Sequence, residues 1–316
     1  MAGTDKTDLT GTPNKAQGRT ARERLDVLLT QRGLSPTRER ARAFIMAGVV
    51  LVDGREALKP GALTRADAAI EIIAQPAETR YVSRGGLKLE RALEAFHLDP
   101  AGRVCLDVGA STGGFTDVLL RAGARKVYAV DVGYGQLAWS LRTDPRVVTM
   151  ERTNIRTLTA LPEPVEAAVI DASFISLRLV LPPVAALLVS GGWVMALVKP
   201  QFEAGRAEAN RGGGVISDPE VHLCVLRDLL QWLGEWPARA PDAPFLVPYA
   251  LTGSPIAGRE GNHEYLLELR AQGAQDAQDA HGADRLPMPL DDAALRRIIE
   301  STFAPTVVAE GEDSGG

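Results

Sequence analysis

Seven short apolar runs alternate with helical segments through most of the chain, and this alternation limits the possible folds more than any other feature. The runs lie at 103–108, 126–131, 146–150, 166–171, 192–198, 245–251 and 263–269. Strands that alternate with helices bury their apolar faces in a mainly parallel sheet with helices on both sides. We therefore predict an α/β domain with a Rossmann-like, doubly wound, mostly parallel sheet of seven strands, including one antiparallel strand.

The chain before this alternation differs in both pattern and charge. Two short helices and then strands around a turn at Asp53-Gly54 indicate a small α+β module. Residues 15–65 contain 11 Lys and Arg against 5 Asp and Glu, a local balance of +6 in a chain of net charge −5. A basic module joined to an acidic body favours a polyanionic partner. A solvated, merely charged helix is the alternative explanation for its alternating arginines.

Composition divides the chain into segments. Few large apolar side chains mark the two ends, and a Pro-containing stretch separates the two modules. We predict a disordered tail at 1–21, an α+β domain at 22–75, a linker at 76–82, the α/β domain at 83–305 with a mobile low-complexity insertion at 271–285, and a disordered tail at 306–316.

Several classes of protein are disfavoured. The sequence has no apolar run long enough to cross a bilayer and no secretory signal pattern at its polar N-terminus. The two cysteines, Cys105 and Cys224, cannot form a disulfide framework, and their apolar neighbours predict buried thiols in a reducing cytoplasm. Because no His/Cys cluster has metal-ligand spacing, we expect no metal.

A glycine-rich turn between a strand and a helix, "CLDVGASTGGFTDVLL", indicates a nucleotide-binding loop. An NAD-type loop would read G-x-G-x-x-G, but Ser111 occupies its second glycine position, and Asp107 would repel a pyrophosphate. D-x-G-x-x-x-G is the loop of S-adenosylmethionine methyltransferases, and Asp131 is placed to bind a ribose. A dinucleotide enzyme and a turn without ligand remain the alternatives. The candidate cofactor-binding residues are Asp107, Gly109, Ser111, Gly113, Gly114, Phe115, Asp131, Val132 and Asp171.

Four polar residues, Asp171 again among them, are expected near the carboxyl ends of the strands, where open α/β sheets bind ligands. Asp171 and Lys199 end two apolar runs, Glu264 begins the last run, and Lys88 lies on the helix before the first strand. Taken singly, each has an ordinary explanation as a solvated lysine or a cap. Lys199 is the exception, since it follows a wholly apolar stretch and must be partly desolvated.

The order Lys88, Asp171, Lys199, Glu264 resembles the Lys-Asp-Lys-Glu tetrad of FtsJ-like RNA 2′-O-methyltransferases. The alternating arginines and the hairpin resemble the S4 RNA-binding domain. With "YVSRGGLKLERAL", "DASFISL", "LVKPQFEAGR", "GGGVISDPEVH" and "GNHEYLL", residues 22–270 resemble the hemolysin A/TlyA family. Two features depart from it: "TRY" stands where some members carry Arg-x-Trp, and the insertion is additional.

The resemblance implies S-adenosylmethionine-dependent 2′-O-methylation of ribosomal RNA, at cytidine, with ribosomal RNA or ribosomal subunits as partners and no metal. Lys199 would be the general base, Asp171 would orient it, and Lys88 and Glu264 would position the ribose. The glycines beside Arg211 form either an RNA-contacting loop or a plain connector. The candidate RNA-binding residues are Arg24, Arg38, Arg40, Arg42, Arg84 and Arg211.

Three other functions would each explain part of the sequence: a non-catalytic S4-type RNA-binding protein, a membrane-lytic hemolysin, and a small-molecule methyltransferase. The complete tetrad disfavours the first, the lack of spanning segments the second, and the basic module the third. The sequence leaves open the target nucleotide, the ribosomal subunit, and whether the protein is a monomer or a weak dimer.

Overall fold

The computed structural model describes residues 22–35, 37–46, 48–57, 59–72, 80–205, 214–239, 243–258, 260–272 and 290–304. The chain divides into two compact units, residues 1–75 and 76–316. The predicted tails and most of the predicted linker lie outside the described residues. Among the described residues, no helix is both long and apolar enough to span a membrane.

The small unit combines two helices with short strands around one apolar core. Its core includes Leu25, Leu29, Ile45 and Val50. Asp53 and Gly54 both have positive φ, 50° and 77°, the conformation of the hairpin turn that the sequence predicted there. The elements are β1 (Arg22–Arg24), α1 (Leu25–Gln31), α2 (Arg38–Met46), β2 (Val50–Val52), β3 (Arg55–Glu56), β4 (Leu63–Arg65) and β5 (Ile70–Ile72).

The large unit alternates strands and helices. A short 3₁₀ helix spans Ile155–Thr157. The other elements are α3 (Gly85–Phe96), β6 (Val104–Val108), α4 (Gly114–Arg121), β7 (Lys126–Val130), α5 (Trp139–Arg142), β8 (Val147–Met150), β9 (Val165–Ile170), α6 (Leu177–Leu187), β10 (Leu188–Val198), α7 (Pro200–Glu203), α8 (Pro219–Arg239), β11 (Phe245–Gly253), β12 (Tyr265–Gln272) and α9 (Asp292–Phe303).

Seven strands form one sheet in the order β11-β12-β10-β9-β6-β7-β8. The pairs from β10 to β8 are parallel, and β12 is antiparallel to both β10 and β11. The predicted sheet is therefore confirmed, including its one reversed strand. Because β12 runs the other way, its first residue lies at the edge of the sheet where the parallel strands end.

The sheet is buried on both faces, which explains why its strands are continuous apolar runs. Along β10, Val194, Ala196 and Val198 belong to one core cluster, and Trp193, Met195 and Leu197 belong to the other. Helices on both faces complete the two clusters, so the polar residues that follow the strands are confined to the edges of the sheet.

Two sequence expectations were wrong in detail. The predicted insertion begins too early, because β12 continues through Ala271 and Gln272, which pair with Leu246 and Phe245; residues 273–285 lie outside the described residues. Cys224 is exposed, whereas Cys105 is buried as expected. Cys224 lies on the solvent side of the amphipathic helix α8, whose opposite side contributes Leu226 and Leu233 to the core.

Candidate active site

Two of the four predicted tetrad residues follow neighbouring parallel strands. Asp171 comes directly after β9 and Lys199 directly after β10, and the two strands are paired in the sheet. Lys199 Nζ lies 2.5 Å from Asp171 Oδ1. The same Nζ donates a hydrogen bond to Ser173 Oγ at 3.0 Å. Lys199 is only 7% exposed, so this amine is held by specific partners in a largely dry environment.

The other two tetrad residues form a second ion pair at the same edge. Lys88, on α3, is paired with Glu264, which directly precedes β12, and both are buried. Val198 and Tyr265 are partners in the β10–β12 ladder. The residues next to them, Lys199 and Glu264, therefore lie side by side. The structure thus brings all four predicted residues to one edge of the sheet as two lysine–carboxylate pairs. Lys88, Lys199 and Glu264 are buried, and the side chain of Asp171 is 26% exposed.

The glycine turn lies against this edge. Gly109 has φ +83°, and a Cβ there would lie 2.5 Å from the backbone oxygen of Asp171. Gly113 has φ +94° and precedes α4. Ser111, between them, is a non-glycine residue at φ +48°. Only glycine permits both the left-handed backbone and the close approach at position 109, and this contact holds the turn beside the tetrad.

Asp131 is held by the turn and by the residues that follow β7. Its Oδ2 accepts the N–H of Ser111 at 2.8 Å, and its Oδ1 accepts the N–H of Gly133 at 2.6 Å. The next residue, Val132, is 72% exposed. A fixed carboxylate beside an exposed apolar side chain at a strand end is the arrangement that binds the sugar and base of a nucleoside.

Asp107 is completely buried within β6. Its Oδ2 accepts a hydrogen bond from Thr116 Oγ1 at 2.6 Å. No donor among the described residues reaches its Oδ1. Burial raises the pKa of Asp107 to about 7, and the nearby charges of Asp171 and Asp131 act in the same direction. A buried acceptor without a donor suits a cationic amine, and it would repel a pyrophosphate.

Helix α3, which carries Lys88, packs closely against helix α4, which follows the glycine turn. A Cβ on Gly114 would lie 2.3 Å from Ser83 Oγ and 3.0 Å from the backbone N of Gly86. The predicted cofactor-binding residue Phe115 has its side chain in the apolar core, 3% exposed. Arg84 directly precedes α3 and is half-buried.

A family model described as FtsJ-like methyltransferase matches residues 81–241, and one for the S4 domain matches residues 23–66. The 16S/23S rRNA (cytidine-2′-O)-methyltransferase TlyA of Mycobacterium tuberculosis is 45% identical over 88% of this chain and 98% of the relative. Hemolysin A of Brachyspira hyodysenteriae is 37% identical over 78% of this chain and 99% of the relative. The chain belongs to the TlyA/hemolysin A family. It is therefore a methyltransferase that carries an S4 domain.

A solved structure supports the same assignment. A protein of Streptococcus thermophilus proposed to be a hemolysin is 39% identical, with a TM-score of 0.64, over 90% of this chain and 96% of that one. The TlyA/hemolysin A fold is thus shared along nearly the whole length of both proteins.

Three residues near Lys199 were not predicted from the sequence. Ser173 contacts Lys199. Phe174 is 88% exposed at φ +63°, and its ring centroid lies 5.0 Å from that of Phe202. Glu203 accepts hydrogen bonds from Ser176 Oγ and from the N–H of Leu177, each at 2.7 Å. The conspicuous "SF" after Asp171 and "QFE" after Lys199 were the available signal, but only the fold shows that they meet.

The predicted RNA-binding arginines have different surroundings. Arg24 and Arg38 both bind Asp26, which is fully buried, and the Arg24 hydrogen bond is the main cause that lowers the pKa of Asp26. The two guanidinium groups keep about half of their side-chain surface exposed. Arg42 is exposed on α2. The side chain of Arg40, and Arg211 altogether, lie outside the described residues.

Among the described residues, no group of three or more His, Cys, Asp and Glu side chains could hold a metal ion. The carboxylates at the edge of the sheet are instead paired with lysines or with backbone N–H groups.

Proposed function

We propose that this protein transfers a methyl group from S-adenosylmethionine to the 2′-hydroxyl of a cytidine in ribosomal RNA. The observation that carries the proposal is the two lysine–carboxylate contacts with buried lysines, Lys199–Asp171 and Lys88–Glu264, beside the glycine turn. The TlyA relative at 45% identity, named for this reaction on 16S and 23S rRNA, supports the choice of substrate. Such a substrate implies a cytoplasmic location.

The residues around the turn fit S-adenosylmethionine. Asp107 would accept the amine of its methionine part, because Oδ1 has no protein donor among the described residues. Asp131 would bind the ribose hydroxyls, and the exposed side chain of Val132 would contact the adenine. When bound, the cofactor supplies the methyl group on a positively charged sulfur and keeps the electron pair of the broken S–C bond.

Lys199 is the proposed general base. A ribose hydroxyl is a weak nucleophile near neutral pH, so it must lose its proton as it attacks. Once Lys199 has released its own ammonium proton, its neutral amine would take the ribose proton at Nζ. Asp171, 2.5 Å away, would hold the amine in place and stabilise the ammonium that forms again. Because both groups are fixed by the ends of paired strands, little reorganisation is needed during the reaction.

Lys88 and Glu264 are proposed to position the ribose. A carboxylate accepts hydrogen bonds from sugar hydroxyls and an ammonium donates them, so this pair can hold the sugar through both kinds of contact. The pair is anchored on two different elements, α3 and the start of β12, on the side of Lys199 away from Asp171. Holding the hydroxyl in one orientation lowers the activation free energy of a displacement reaction substantially.

The exposed ring of Phe174 is proposed to stack on a nucleobase. A non-glycine residue at φ +63° is strained, and strain of this kind concentrates at functional sites. Aromatic rings at the rim of a site bind the bases of unpaired RNA by stacking. The basic small unit would add phosphate contacts and salt-dependent affinity.

The Lys199→Ala variant tests the proposed function. Purified protein is incubated with labelled S-adenosylmethionine and each ribosomal subunit from cells that lack the enzyme, and 2′-O-methylation is mapped. We expect loss of transfer with both cofactor and subunit binding retained, because the base acts only in the chemical step. Lys126→Ala is the control, since Lys126 pairs with Glu163 elsewhere on the sheet.

Full transfer by Lys199→Ala would remove Lys199 from the mechanism. Binding of subunits without any transfer by the wild-type protein would favour the non-catalytic RNA-binding alternative instead.

A further inference from the structure

Lys199 has a second polar partner besides Asp171, the hydroxyl of Ser173. Its Nζ lies 2.5 Å from Asp171 Oδ1 and 3.0 Å from Ser173 Oγ. A neutral amine has two N–H bonds and one lone pair in a roughly tetrahedral arrangement. When two acceptors at fixed positions each take one N–H, the lone pair is left with a single direction.

We infer that Ser173 is a positioning residue that aims the lone pair of Lys199 at the ribose hydroxyl. This inference rests on the proposed role of Lys199 as the base. As the O–C bond forms, the hydroxyl proton moves to the lone pair of Nζ and the electron pair of the O–H bond stays on oxygen. The S–C bond breaks, and its electron pair leaves with the sulfur. With Asp171 alone, the amine could rotate about its Cε–Nζ bond and present an N–H instead.

The loop that carries Ser173 is fastened to the residues that follow Lys199. Glu203, on α7, accepts Ser176 Oγ and the N–H of Leu177, each at 2.7 Å. Helix α7 begins at the residue after Lys199. Burial raises the pKa of Glu203, which is consistent with a carboxyl enclosed between the two segments. The contacts of Glu203 with Ser176 and Leu177 thus join the segment that carries Ser173 to the segment that carries Lys199.

An aromatic ring also lies near the amine. The ring centroid of Phe202 lies 5.9 Å from Lys199 Nζ. The face of a ring attracts a cation and offers no strong acceptor for an N–H of a neutral amine. The two oxygen atoms of Asp171 and Ser173 are therefore what orients the neutral form.

The Ser173→Ala and Ser173→Thr variants test the inference in full-length protein with ribosomal subunits and S-adenosylmethionine. We expect Ser173→Ala to lower kcat roughly 10-fold, the size of one hydrogen bond, with KM for both substrates unchanged. Ser173→Thr keeps the hydroxyl and should restore most of kcat. Ser140→Ala, on the exposed face of α5, is the matched control and should keep wild-type kinetics.

The double variant Ser173→Ala/Lys199→Ala gives the second readout. Because Ser173 acts through Lys199, the residual transfer of Lys199→Ala, measured over long incubation with excess enzyme, should not fall further in the double variant. An unchanged kcat in Ser173→Ala, with Lys199→Ala inactive, would overturn the inference and leave the proposed function intact. Weaker substrate binding, or no recovery in Ser173→Thr, would show a merely structural serine. An active Lys199→Ala would remove both proposals together.

Discussion

Charged side chains at this site are buried or half-buried, and almost all of them have partners. Lys88 is paired with Glu264, and Lys199 with Asp171, so neither lysine bears the cost of an isolated buried charge. Asp107 is the exception among these groups, since one of its oxygens has no donor among the described residues. Among the charged residues of this site, Asp107 is therefore the one best suited to bind a cation.

Asp107→Asn tests this property through cofactor binding. Asparagine keeps the acceptor but removes the charge, so we expect the Kd for S-adenosylmethionine to rise roughly 10- to 100-fold, the range for a charge-assisted hydrogen bond. Isothermal titration calorimetry at pH 8 measures it. Asp144→Asn, at a carboxylate bound to Arg146, is the control and should keep the wild-type Kd.

The same carboxyl makes cofactor binding depend on pH. Its pKa is raised to about 7 by burial, so the free protein carries a proton there below this pH. A cationic amine binds the ionised form, and the proton must then be released. We expect the Kd to rise by up to about tenfold for each pH unit below 7 and to level off above it. Asp107→Asn should remove this dependence, and an unchanged slope would contradict the assignment.

At the scale of elements, the glycine turn is where backbone geometry determines the site. We expect Gly109→Ala to abolish cofactor binding and to lower the free energy of unfolding by more than about 1–2 kcal/mol. The left-handed backbone alone costs an alanine that amount, and the new Cβ would also meet the Asp171 oxygen at 2.5 Å.

Gly102→Ala is the matched control for that prediction. Gly102 also has a positive φ, +71°, but a Cβ there would meet nothing within 4 Å. It should show only the backbone cost in chemical denaturation and keep its affinity for S-adenosylmethionine. Equal effects of the two variants would show that the contact with Asp171 does not matter.

A buried histidine connects α8 to the strand next to Glu264. His222 Nε2 lies 3.0 Å from the backbone oxygen of Ile216, and Nδ1 lies 2.7 Å from Tyr265 Oη. Because a carbonyl only accepts, Nε2 must carry the proton, and the Tyr265 hydroxyl donates to Nδ1. The neutral ring is therefore the form that fits, and burial lowers the pKa of His222 from its usual 6.5.

His222 should make stability depend on pH. The unfolded chain takes up the proton first as the pH falls below about 6.5, so the contribution of His222 to the free energy of unfolding is lost there and is fully present above that value. His222→Gln can replace both contacts without titrating and should remove this contribution in urea unfolding measured from pH 7 to pH 5. The dependence on pH that remains combines His263, whose pKa burial also lowers, with Asp107 and Glu203, whose raised pKa values act in the opposite direction.

His97→Asn is the control for His222. His97 is exposed and has φ +52°, a conformation that asparagine tolerates. The free energy of unfolding of the His97→Asn variant should retain the wild-type dependence on pH.

On the scale of the whole molecule, positive charge is concentrated in the small unit. Arg24 and Arg38 are held by one buried carboxylate, Asp26, and this leaves their guanidinium groups half exposed. An ordered pair of cations at a surface suits a phosphate group, which accepts from two donors at once.

Arg38→Gln should weaken binding to ribosomal subunits and reduce the slope of log K against log salt by about 1, because one phosphate is then no longer neutralised by the protein. Filter binding across a salt series measures the slope. Arg296→Gln is the control, because Arg296 lies on α9 in the large unit and pairs with Glu220 of α8. A weaker affinity with the same slope would mean that Arg38 does not bind phosphate.

The alternation of apolar runs predicted the seven-stranded sheet because strands with two buried faces are apolar at nearly every position. Spacing within one segment likewise located the glycine turn and Asp131, since a strand, a turn and a helix determine each other's geometry locally. The strand ends of Asp171 and Lys199 and the start of β12 at Glu264 were also visible in the sequence, because each borders an apolar run.

The pairing of these residues was decided by tertiary structure. Which carboxylate binds which lysine depends on strand order and register, and β9 and β10 are adjacent only in the folded sheet. The contact of Ser173 with Lys199 and the bridge made by Glu203 join segments more than twenty residues apart. The sequence by itself determined the elements and the polar residues at their ends, since periodicity is local. The ion-pair partners and the burial of these residues were decided only by the packed sheet, because they depend on contacts between distant segments.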